Sequence, residues 1–581
     1  MRLRIWPVLP FLVFMIGAQI ALRTISNRTP ALMQFILFGP VICVLAIGLW
    51  WLFASRAAWR DRILGLVSFG VLTAAAWFLS DPTMHSMVFV FLALPVVVLI
   101  ATAALVVLSR VGSRTATLVT LLIAAVTFGY WDLIRCDGMS GDFQAEMHWR
   151  WNKSAEDQFL ATLPADSTAK PASAEPLGKI VWPAFRGPQR NGTVPGIVLD
   201  AAWSTRPPKE IWRHKVGPGW SSFSIAGNRI FTQEQRGPQE VVVCYDAKTG
   251  AERWVHASPA RFAETMGGVG PRATPTLAGD RLYALGATGL LDCLDPLTGA
   301  LKWERDLKQD ARPTPPMWGF ASSPLVVGDR VVVHAGGPND KGVVAYDTQT
   351  GKLCWSAPAG DHSYSSPQLA TVAGREVILM LDNAGLSALD PVSGKADWTY
   401  EWKFNNYRAI QPLIVDPTGV LLGTGMGTGT RRIELKAAKA DIEFAERWTS
   451  LDMKPDFNDY VAYRGYLYGL DHNILCCVDL ATGKRKWKNG RYGNGQILLL
   501  PDAGQLLVLS EEGDLVLIRA NPEKLDEVAR QKVLDGKTWN HPALAGNRLY
   551  VRNAEEAACY ELPLAGRSSE PPQKRDGGGQ L

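Results

Sequence analysis

Eight side chains with binding chemistry stand just before apolar runs in the C-terminal two thirds of this 581-residue chain. They are Arg272, Trp318, His362, Arg408, Asn458, Asp459, Trp539 and His541. Arginine binds carboxylates in a bidentate manner, and a tryptophan face accepts a flat ring. Asparagine and aspartate oxygens suit a hydroxyl group or a metal ion. Together these residues predict a shallow pocket for an acidic or planar small molecule, or for a peptide, if the fold brings them together.

A structural interpretation of the same positions stays open. Nearly every apolar run begins with a polar residue at the matching place: Ser222, Thr274, Ser323, Ser366, Gln411, Asp459, Gln496 and His541. Such residues could form a hydrated ring that satisfies the backbone groups of the strands that follow. Nucleophilic catalysis has no support, because the sequence lacks a Gly-x-Ser-x-Gly elbow.

A repeated pattern, Asp-x-x-Thr/Ser-Gly-x-x-x-Trp, indicates how these positions are arranged in space. Its five copies begin at Asp246, Asp295, Asp347, Asp390 and Asp479. Successive copies are 49, 52, 43 and 89 residues apart, so the last interval holds a degenerate copy. A period in the forties with strand-like content is typical of propeller blades.

The repeated residues have a structural explanation of their own. The Asp and Thr side chains can accept hydrogen bonds from turn amides, and the Gly allows the chain to reverse. The Trp can pack between neighbouring blades. Cys244, Cys293 and Cys477 each stand two residues before a repeat Asp, and Cys559 holds the equivalent place, so we expect buried strand positions there. A disulfide between Cys476 and Cys477 is the less favoured alternative.

The apolar runs predict eight blades. Blades five and seven are degenerate, and the last blade lacks its outer strand. Residues 209–216, which precede the first blade, can supply that strand and close the ring without an open edge. We therefore predict an all-β eight-bladed propeller with four-stranded antiparallel blades.

The N-terminal part of the chain predicts an α-helical transmembrane domain. Five apolar stretches, near 5–22, 31–54, 62–80, 86–108 and 115–134, can each cross a hydrocarbon core of roughly 30 Å. None has an ionisable residue near its centre, which favours a plain anchor or a site for a lipid or quinone over a proton path.

The distribution of arginine predicts the topology. Arg2 and Arg4 precede the first stretch, three arginines lie within 56–62, and Arg110 and Arg114 separate the last two stretches, whereas the loop 81–85 has no basic residue. Only Arg23 and Arg28 oppose this trend. We expect a multi-pass protein of the inner membrane, with a cytoplasmic N-terminus and the propeller in the periplasm.

Four regions follow from these patterns. They are a transmembrane domain at 1–135, a juxtamembrane connector and linker at 136–180, the propeller at 181–565 and a disordered tail at 566–581. Within the connector we expect a short helix at the membrane surface, followed by a flexible linker. The net charge of +5 comes without a basic stripe or zinc-finger spacing, so nucleic acid is not an expected partner.

The tandem blades resemble the pyrroloquinoline quinone (PQQ) repeat. The segment Trp182-Pro183-Ala184-Phe185-Arg186-Gly187-Pro188 is also similar to the one that leads into bacterial PQQ-like propellers. The family includes quinoprotein dehydrogenases and the propeller lipoprotein of the outer-membrane β-barrel assembly machinery. Membrane glucose dehydrogenases of this class also place five spans before an eight-bladed periplasmic propeller.

The resemblance implies two functions. The first is a membrane-anchored periplasmic module that binds a ligand or protein, or acts as a scaffold of the cell envelope. The alternative is a PQQ-dependent quinoprotein dehydrogenase that oxidises an alcohol or sugar, for which PQQ and calcium would be the cofactors. No segment matches the family's catalytic Asp or its calcium-ligand segments, so no active residue is carried over. The expected partners are the lipid bilayer and either envelope proteins or a small polar ligand.

Overall fold

A computed structural model of the chain describes residues 3–24, 30–85, 87–140, 144–163, 175–425, 428–438 and 441–566. Almost all of the predicted disordered tail, and much of the predicted flexible linker, lie outside these residues.

The propeller has the eight predicted blades, each a four-stranded antiparallel meander. Seven blades run in chain order from the innermost strand outward. Their strands are Ser224–Ala226, Arg229–Arg236, Gln239–Asp246 and Glu252–Ser258; Thr276–Ala278, Arg281–Leu285, Leu290–Leu294 and Leu301–Asp306; Leu325–Val327, Arg330–His334, Val343–Asp347 and Leu353–Ala357; Gln368–Val372, Arg375–Leu381, Gly385–Leu389 and Ala396–Glu401; Leu413–Ile414, Gly419–Thr424, Gly429–Ala438 and Asp441–Ser450; Val461–Tyr463, Tyr466–Asp471, Ile474–Asp479 and Arg485–Arg491; and Gln496–Leu500, Gln505–Leu509, Asp514–Arg519 and Asp526–Lys532.

The eighth blade closes the ring as predicted. Ala543–Ala545, Arg548–Arg552 and Glu556–Glu561 supply three of its strands, and Lys209–Lys215 from before the first blade supplies the outer one. This outer strand pairs antiparallel with Glu556–Glu561, for example through Cys559 opposite Trp212. The first blade carries an extra strand, Ile180–Trp182, beside its innermost strand.

The repeated pattern joins neighbouring blades, which confirms its structural interpretation. In the third blade the amide of Thr350 donates to Oδ1 of Asp347 (2.8 Å), and the Thr350 hydroxyl donates to the same oxygen (2.7 Å). These bonds lower the pKa of Asp347. Trp303 of the second blade donates from Nε1 to the Thr348 carbonyl (3.1 Å) of this same turn. The Asp residues are thus turn-forming groups, and the Trp holds one blade to the next.

The repeat cysteines occupy buried strand positions, as expected. Cys244, Cys293, Cys477 and Cys559 are buried free thiols. The vicinal pair is also reduced, because Cys476 and Cys477 are both free.

We expect alanine at Gly351 to destabilise the protein much more than alanine at Gly328 of the same blade. Both glycines have a left-handed backbone, with φ of 68° and 56°. A Cβ on Gly351 would lie 2.7 Å from the Trp303 ring, whereas a Cβ on Gly328 meets nothing within 4 Å. Overpacking typically costs about 1–3 kcal/mol, so thermal unfolding of the two variants should differ by that amount. Equal losses would mean that the Trp–Gly contact contributes nothing beyond backbone strain.

The N-terminal region is a bundle of five helices. They are α1 (Leu9–Thr24), α2 (Pro30–Leu49), α3 (Trp59–Leu79), α4 (Leu94–Val107) and α5 (Ser113–Asp132), and π-helical turns at Trp50–Ala54 and Phe89–Ala93 extend α2 and α4. Two shorter helices, α6 (Ala155–Leu160) and α7 (Leu307–Asp310), follow in the connector and in the second blade.

Four helical segments of the described chain are long and apolar enough to cross a membrane: Gln34–Ala54, Trp59–Leu79, Phe89–Arg110 and Ser113–Asp132. The first predicted span, near 5–22, is shorter than expected, because its helix α1 has 16 residues. At a rise of about 1.5 Å per residue it extends about 24 Å, less than the core of roughly 30 Å.

The arginine-rich turns lie together at one end of the bundle. The amide of Arg4 donates to the Ser55 carbonyl (2.9 Å), and Trp50 Nε1 donates to the Arg4 carbonyl (3.0 Å). Ser113 donates to Asp61 at the same end. At the other end, the amide of Cys136 donates to Thr83 (3.0 Å) where the chain leaves the bundle for the propeller. The N-terminus and the propeller are therefore at opposite ends.

The connector contains a short helix, as expected, and also a β-hairpin that was not expected. A β-hairpin, Ile134–Met139 with Ala145–Trp149, comes first, and helix α6 follows. The hairpin contacts the propeller, because the Met139 amide donates to the Met266 carbonyl (3.1 Å). Glu156 of α6 accepts from Arg261 (2.8 Å). These contacts attach the helical bundle to the propeller near the channel mouth.

Candidate functional site

A cavity of about 1320 Å³ lies between the mouth of the propeller and the helical bundle. The loops that precede the innermost strands form most of its wall. Gln34 and Leu37 of α2 and Met139 of the hairpin complete it on the side of the bundle. The site is thus built jointly by the propeller and the N-terminal domain.

Four of the eight predicted site residues line this cavity, namely Arg272, Trp318, Trp539 and His541. The other four lie outside the lining. Arg408 is buried and donates to the carbonyls of Asp382 and Trp402. Asn458 donates to the Gly495 carbonyl (2.7 Å), and the amide of His362 donates to Asn383 (3.3 Å). Asp459 is buried against Arg186.

Two groups of aromatic rings face the cavity. Trp220 and Trp539, from the two sides of the ring closure, have centroids 4.8 Å apart. In the second group Trp318 lies 4.3 Å from Tyr407 and 5.3 Å from Tyr364. Trp220, Tyr364 and Tyr407 were not predicted from the sequence, although Trp220 and Tyr364 each stand two residues before one of the polar positions named there, Ser222 and Ser366.

Lys537 connects the first aromatic group to the hairpin. Its Nζ lies 5.0 Å from the Trp539 ring and 5.5 Å from the Trp220 ring, within cation–π range. The same Nζ donates to the Met139 carbonyl (3.1 Å) and lies 3.4 Å from Glu146. One cation therefore ties the cavity wall to the connector.

Each lysine and arginine on the described lining contacts a carboxylate. Arg272 lies 3.0 Å from Glu264, and burial lowers the pKa of Arg272. Asp471 accepts from Lys488 (2.6 Å) and lies 2.9 Å from Lys454. Although burial alone would raise it, the pKa of Asp471 is lowered by these ammonium groups. Arg485 lies 3.5 Å from both Asp452 and Asp471, and Asp456 lies 3.3 Å from the ring of His472.

The polar positions that begin the first six blades form a hydrogen-bonded chain around the axis. The amide at one such position donates to the side chain at the same position in the next blade. The bonds are Ser222 to Thr274 (3.0 Å), Thr274 to Ser323 (2.9 Å), Ser323 to Ser366 (2.9 Å), Ser366 to Gln411 (2.5 Å) and Gln411 to Asp459 (2.7 Å). The side chains thus satisfy strand amides directly, which is the structural role foreseen for them, with neighbouring blades as the partners.

The segment 182–192, which we call the axial segment, crosses the centre of the ring on the inner side of the cavity. Arg186 lies 3.4 Å from Asp459 and donates to the Tyr460 carbonyl (3.0 Å) of the sixth blade. Arg190 donates to the carbonyls of Ser323 (3.0 Å) and Pro324 (2.9 Å) of the third. Phe185 lines the cavity itself. The sequence analysis identified this segment only by its similarity to the one that leads into PQQ-like propellers.

Burial dominates the electrostatics around the axial segment. It lowers the pKa of Arg186, and it raises the pKa of Asp459 although Arg186 opposes that change. It also lowers the pKa of Arg190 to about 10. Burial, together with the Arg186 charge, lowers the pKa of His541 to about 3. His541 is therefore neutral at physiological pH.

The described lining shows no ready-made site for the calcium and PQQ that the resemblance implied. Among the described residues no cluster of three His, Cys, Asp or Glu side chains could hold a metal ion. The carboxylates on the lining, Glu264, Asp456 and Asp471, each lie against a basic side chain. A quinone that carries several carboxylates would need cations that are not already paired.

The fold and the repeats define the class of protein: an eight-bladed PQQ-like propeller preceded by apolar helices. The sequence model of the family described as outer membrane protein assembly factor BamB matches residues 201–283 and 240–489. The chain belongs to the PQQ-like β-propeller family, which the sequence analysis predicted.

Curated relatives match only parts of the chain. BamB of Moranella endobia (strain PCIT) is 25% identical over 266 residues, which is 42% of this chain and 63% of that protein. Quinohemoprotein alcohol dehydrogenase ADH IIB of Pseudomonas putida is 30% identical over 147 residues, 23% of this chain and 20% of that protein. The chain therefore spans less than two thirds of either relative.

Solved structures of both kinds resemble the chain. Quinohemoprotein alcohol dehydrogenase from Comamonas testosteroni has a TM-score of 0.47 at 13% identity and covers 73% of this chain and 86% of its own. BamB from Moraxella catarrhalis has a TM-score of 0.44 at 14% identity and covers 61% of this chain and all of its own.

Proposed function

We propose that the chain is a multi-pass inner-membrane protein whose periplasmic propeller binds a ligand or envelope protein as a scaffold module. The observation that carries the proposal is the cavity shared by α2, the hairpin and the propeller mouth. Such a joint cavity exists only because the membrane domain and the propeller are attached at this place. The similarity to BamB, an outer membrane protein assembly factor by name, also favours a role in the envelope.

Binding is favoured over catalysis because the titratable groups at the mouth are engaged by the fold. Asp459 accepts from the Gln411 amide and faces Arg186. His541 has a pKa of about 3, far below the neutral value at which a general base is effective. Aromatic rings and paired charges remain, and these bind without transferring protons.

The orientation has a direct test. The arginine-rich end of the bundle would lie in the cytoplasm, following the positive-inside rule, and the propeller at the opposite end in the periplasm. A reporter enzyme that is active only in the periplasm should be active when fused after residue 150. The same reporter fused after residue 56 should be silent. The reverse pattern would contradict the orientation.

The quinoprotein dehydrogenase remains the alternative, favoured by the 30% identity to the Pseudomonas putida enzyme over 147 residues. It would pass electrons to the membrane. Absorbance titration of the purified full-length protein with PQQ and calcium separates the two functions. We expect no stoichiometric binding and no dye reduction with alcohols or sugars. Bound quinone together with dye reduction would overturn the scaffold proposal.

A further inference from the structure

We propose that the cavity binds the sugar headgroup of a glycolipid whose acyl chains stay in the bilayer beside α2. This inference rests on the proposed membrane placement and adds the class of ligand. It follows from where the cavity lies, which groups remain available on its wall, and how large it is.

The position of the cavity favours a ligand that comes from the membrane. Gln34 and Leu37 line it, and both belong to the first turns of the apolar span Gln34–Ala54. Next to them Phe35 and Phe38 are 62% and 52% exposed, on the outside of the bundle. An amphiphile can therefore place its head in the cavity while its chains remain against this apolar surface, since apolar chains avoid water.

The available chemistry favours an uncharged, hydroxyl-bearing head. Each lysine and arginine of the lining already contacts a carboxylate, as for Arg272 with Glu264 and Lys488 with Asp471, so an anionic head would compete with existing ion pairs. Aromatic rings and the Asn494 carboxamide are the other binding groups on the wall. The apolar faces of sugar rings pack on aromatic rings, and their hydroxyls bond to amide groups.

Asn494 supplies a specific acceptor for such a hydroxyl. It lines the cavity and is 6% exposed. Its side-chain oxygen has no hydrogen-bond partner among the described residues. A buried acceptor without a partner is costly, and a ligand hydroxyl would satisfy it.

The size of the cavity agrees with a headgroup of more than one sugar. Pockets for drug-sized ligands usually measure about 300–1,000 Å³, and this cavity is larger, at about 1320 Å³. The two aromatic groups, around Trp539 and around Trp318, place rings at two separate points of the wall.

The test uses the full-length protein in detergent and native mass spectrometry with four probes. They are diglucosyl diacylglycerol, soluble maltose, phosphatidylglycerol and unglycosylated diacylglycerol. We expect the glycolipid to bind at least ten times more tightly than each of the others. Equal binding of maltose would mean that the ligand comes from solution, and equal binding of phosphatidylglycerol or diacylglycerol would exclude recognition of the sugar. Each result would overturn the proposal.

Variants locate the site. Trp318→Ala and Asn494→Ala should each weaken glycolipid binding at least tenfold. Trp151→Ala, which changes an exposed ring outside the cavity lining (64% exposed), should not. Leu37→Trp should block the glycolipid and leave any weak maltose binding unchanged, and it tests the route from the membrane even if Trp318→Ala does not fold. Wild-type affinity in Leu37→Trp and in the folded mouth variants would overturn the proposal.

The reporter fusion separates the ligand proposal from the proposed membrane placement. If the fusion after residue 150 is active and no glycolipid binds, the ligand proposal fails and the membrane placement stands. If that fusion is silent, the placement itself fails.

Discussion

Replacing Arg186 by methionine is expected to lower the free energy of unfolding by about 3–5 kcal/mol, the usual cost of removing one partner of a buried ion pair. The guanidinium lies at the propeller axis, 3.4 Å from Asp459, and both side chains are almost fully buried. Without it the Asp459 carboxylate faces a dry interior with no cation. Thermal or urea unfolding of the full-length protein in detergent measures the loss.

The control for this variant is Arg206→Met. Arg206 also pairs with an aspartate, Asp200 at 2.7 Å, but its side chain is 60% exposed. Exposed ion pairs contribute about 0–1 kcal/mol, so this variant should unfold almost like the wild type. Similar losses of stability in both variants would show that the buried Arg186–Asp459 pair contributes no more than an exposed ion pair.

The loss in Arg186→Met should also depend on pH. Burial already raises the pKa of Asp459, and Arg186 opposes that rise. In the variant the folded-state pKa therefore lies further above the unfolded value. A raised carboxyl pKa means that stability is retained below the unfolded pKa and lost as pH rises through the folded one. The free energy of unfolding of the variant should be lower at pH 8 than at pH 5, and adding Asp459→Asn should remove this difference.

The blades could be predicted from the sequence because their signals are local. The turn Asp347-x-x-Thr350-Gly351 carries its own hydrogen bonds, and the tryptophan four residues further on is fixed by the same short motif. The closing strand was also predictable, since a blade with three strands and a strand-like segment before the first blade complement each other.

The site could be predicted only in part, because side-chain direction depends on tertiary contacts. Trp318 and His541 were selected from the segments that precede the innermost strands, and both line the cavity. Arg408, from an equivalent segment, instead turns to the carbonyls of Asp382 and Trp402. Sequence spacing does not encode these side-chain directions, because they depend on tertiary contacts such as the one between Arg408 and the Asp382 carbonyl.

The contribution of the N-terminal domain to the site had no sequence signal at all. Leu37 is one of many leucines in an apolar span, and only the attached propeller distinguishes it. The hairpin was missed for the same reason. Its short strands are held by Met266 and Lys537, which are far away in the chain.

The second large effect is expected at the ring closure, for Trp212→Ala. Trp212 belongs to the closing strand Lys209–Lys215, donates from Nε1 to the Ala247 carbonyl (3.1 Å) and packs over Gly250 of the first blade. Truncating a buried tryptophan costs about 3–5 kcal/mol. Trp355 is the matched control, because it is equally buried and makes the equivalent bond to the Pro391 carbonyl (3.3 Å) inside the ring.

The two variants should lose similar stability and yet open differently. The blade that carries Trp355 is a meander continuous in the chain, whereas the closing strand reaches the last blade without a covalent connection to it there. Local opening is easiest where few contacts must break. Limited proteolysis under native conditions should therefore cut Trp212→Ala between residues 200 and 216 well before it cuts Trp355→Ala anywhere in the propeller. If both variants are cut at the same rate and at the same places, the closing strand is not the place where the ring opens first. The stability of the ring is then shared evenly among all eight blade interfaces.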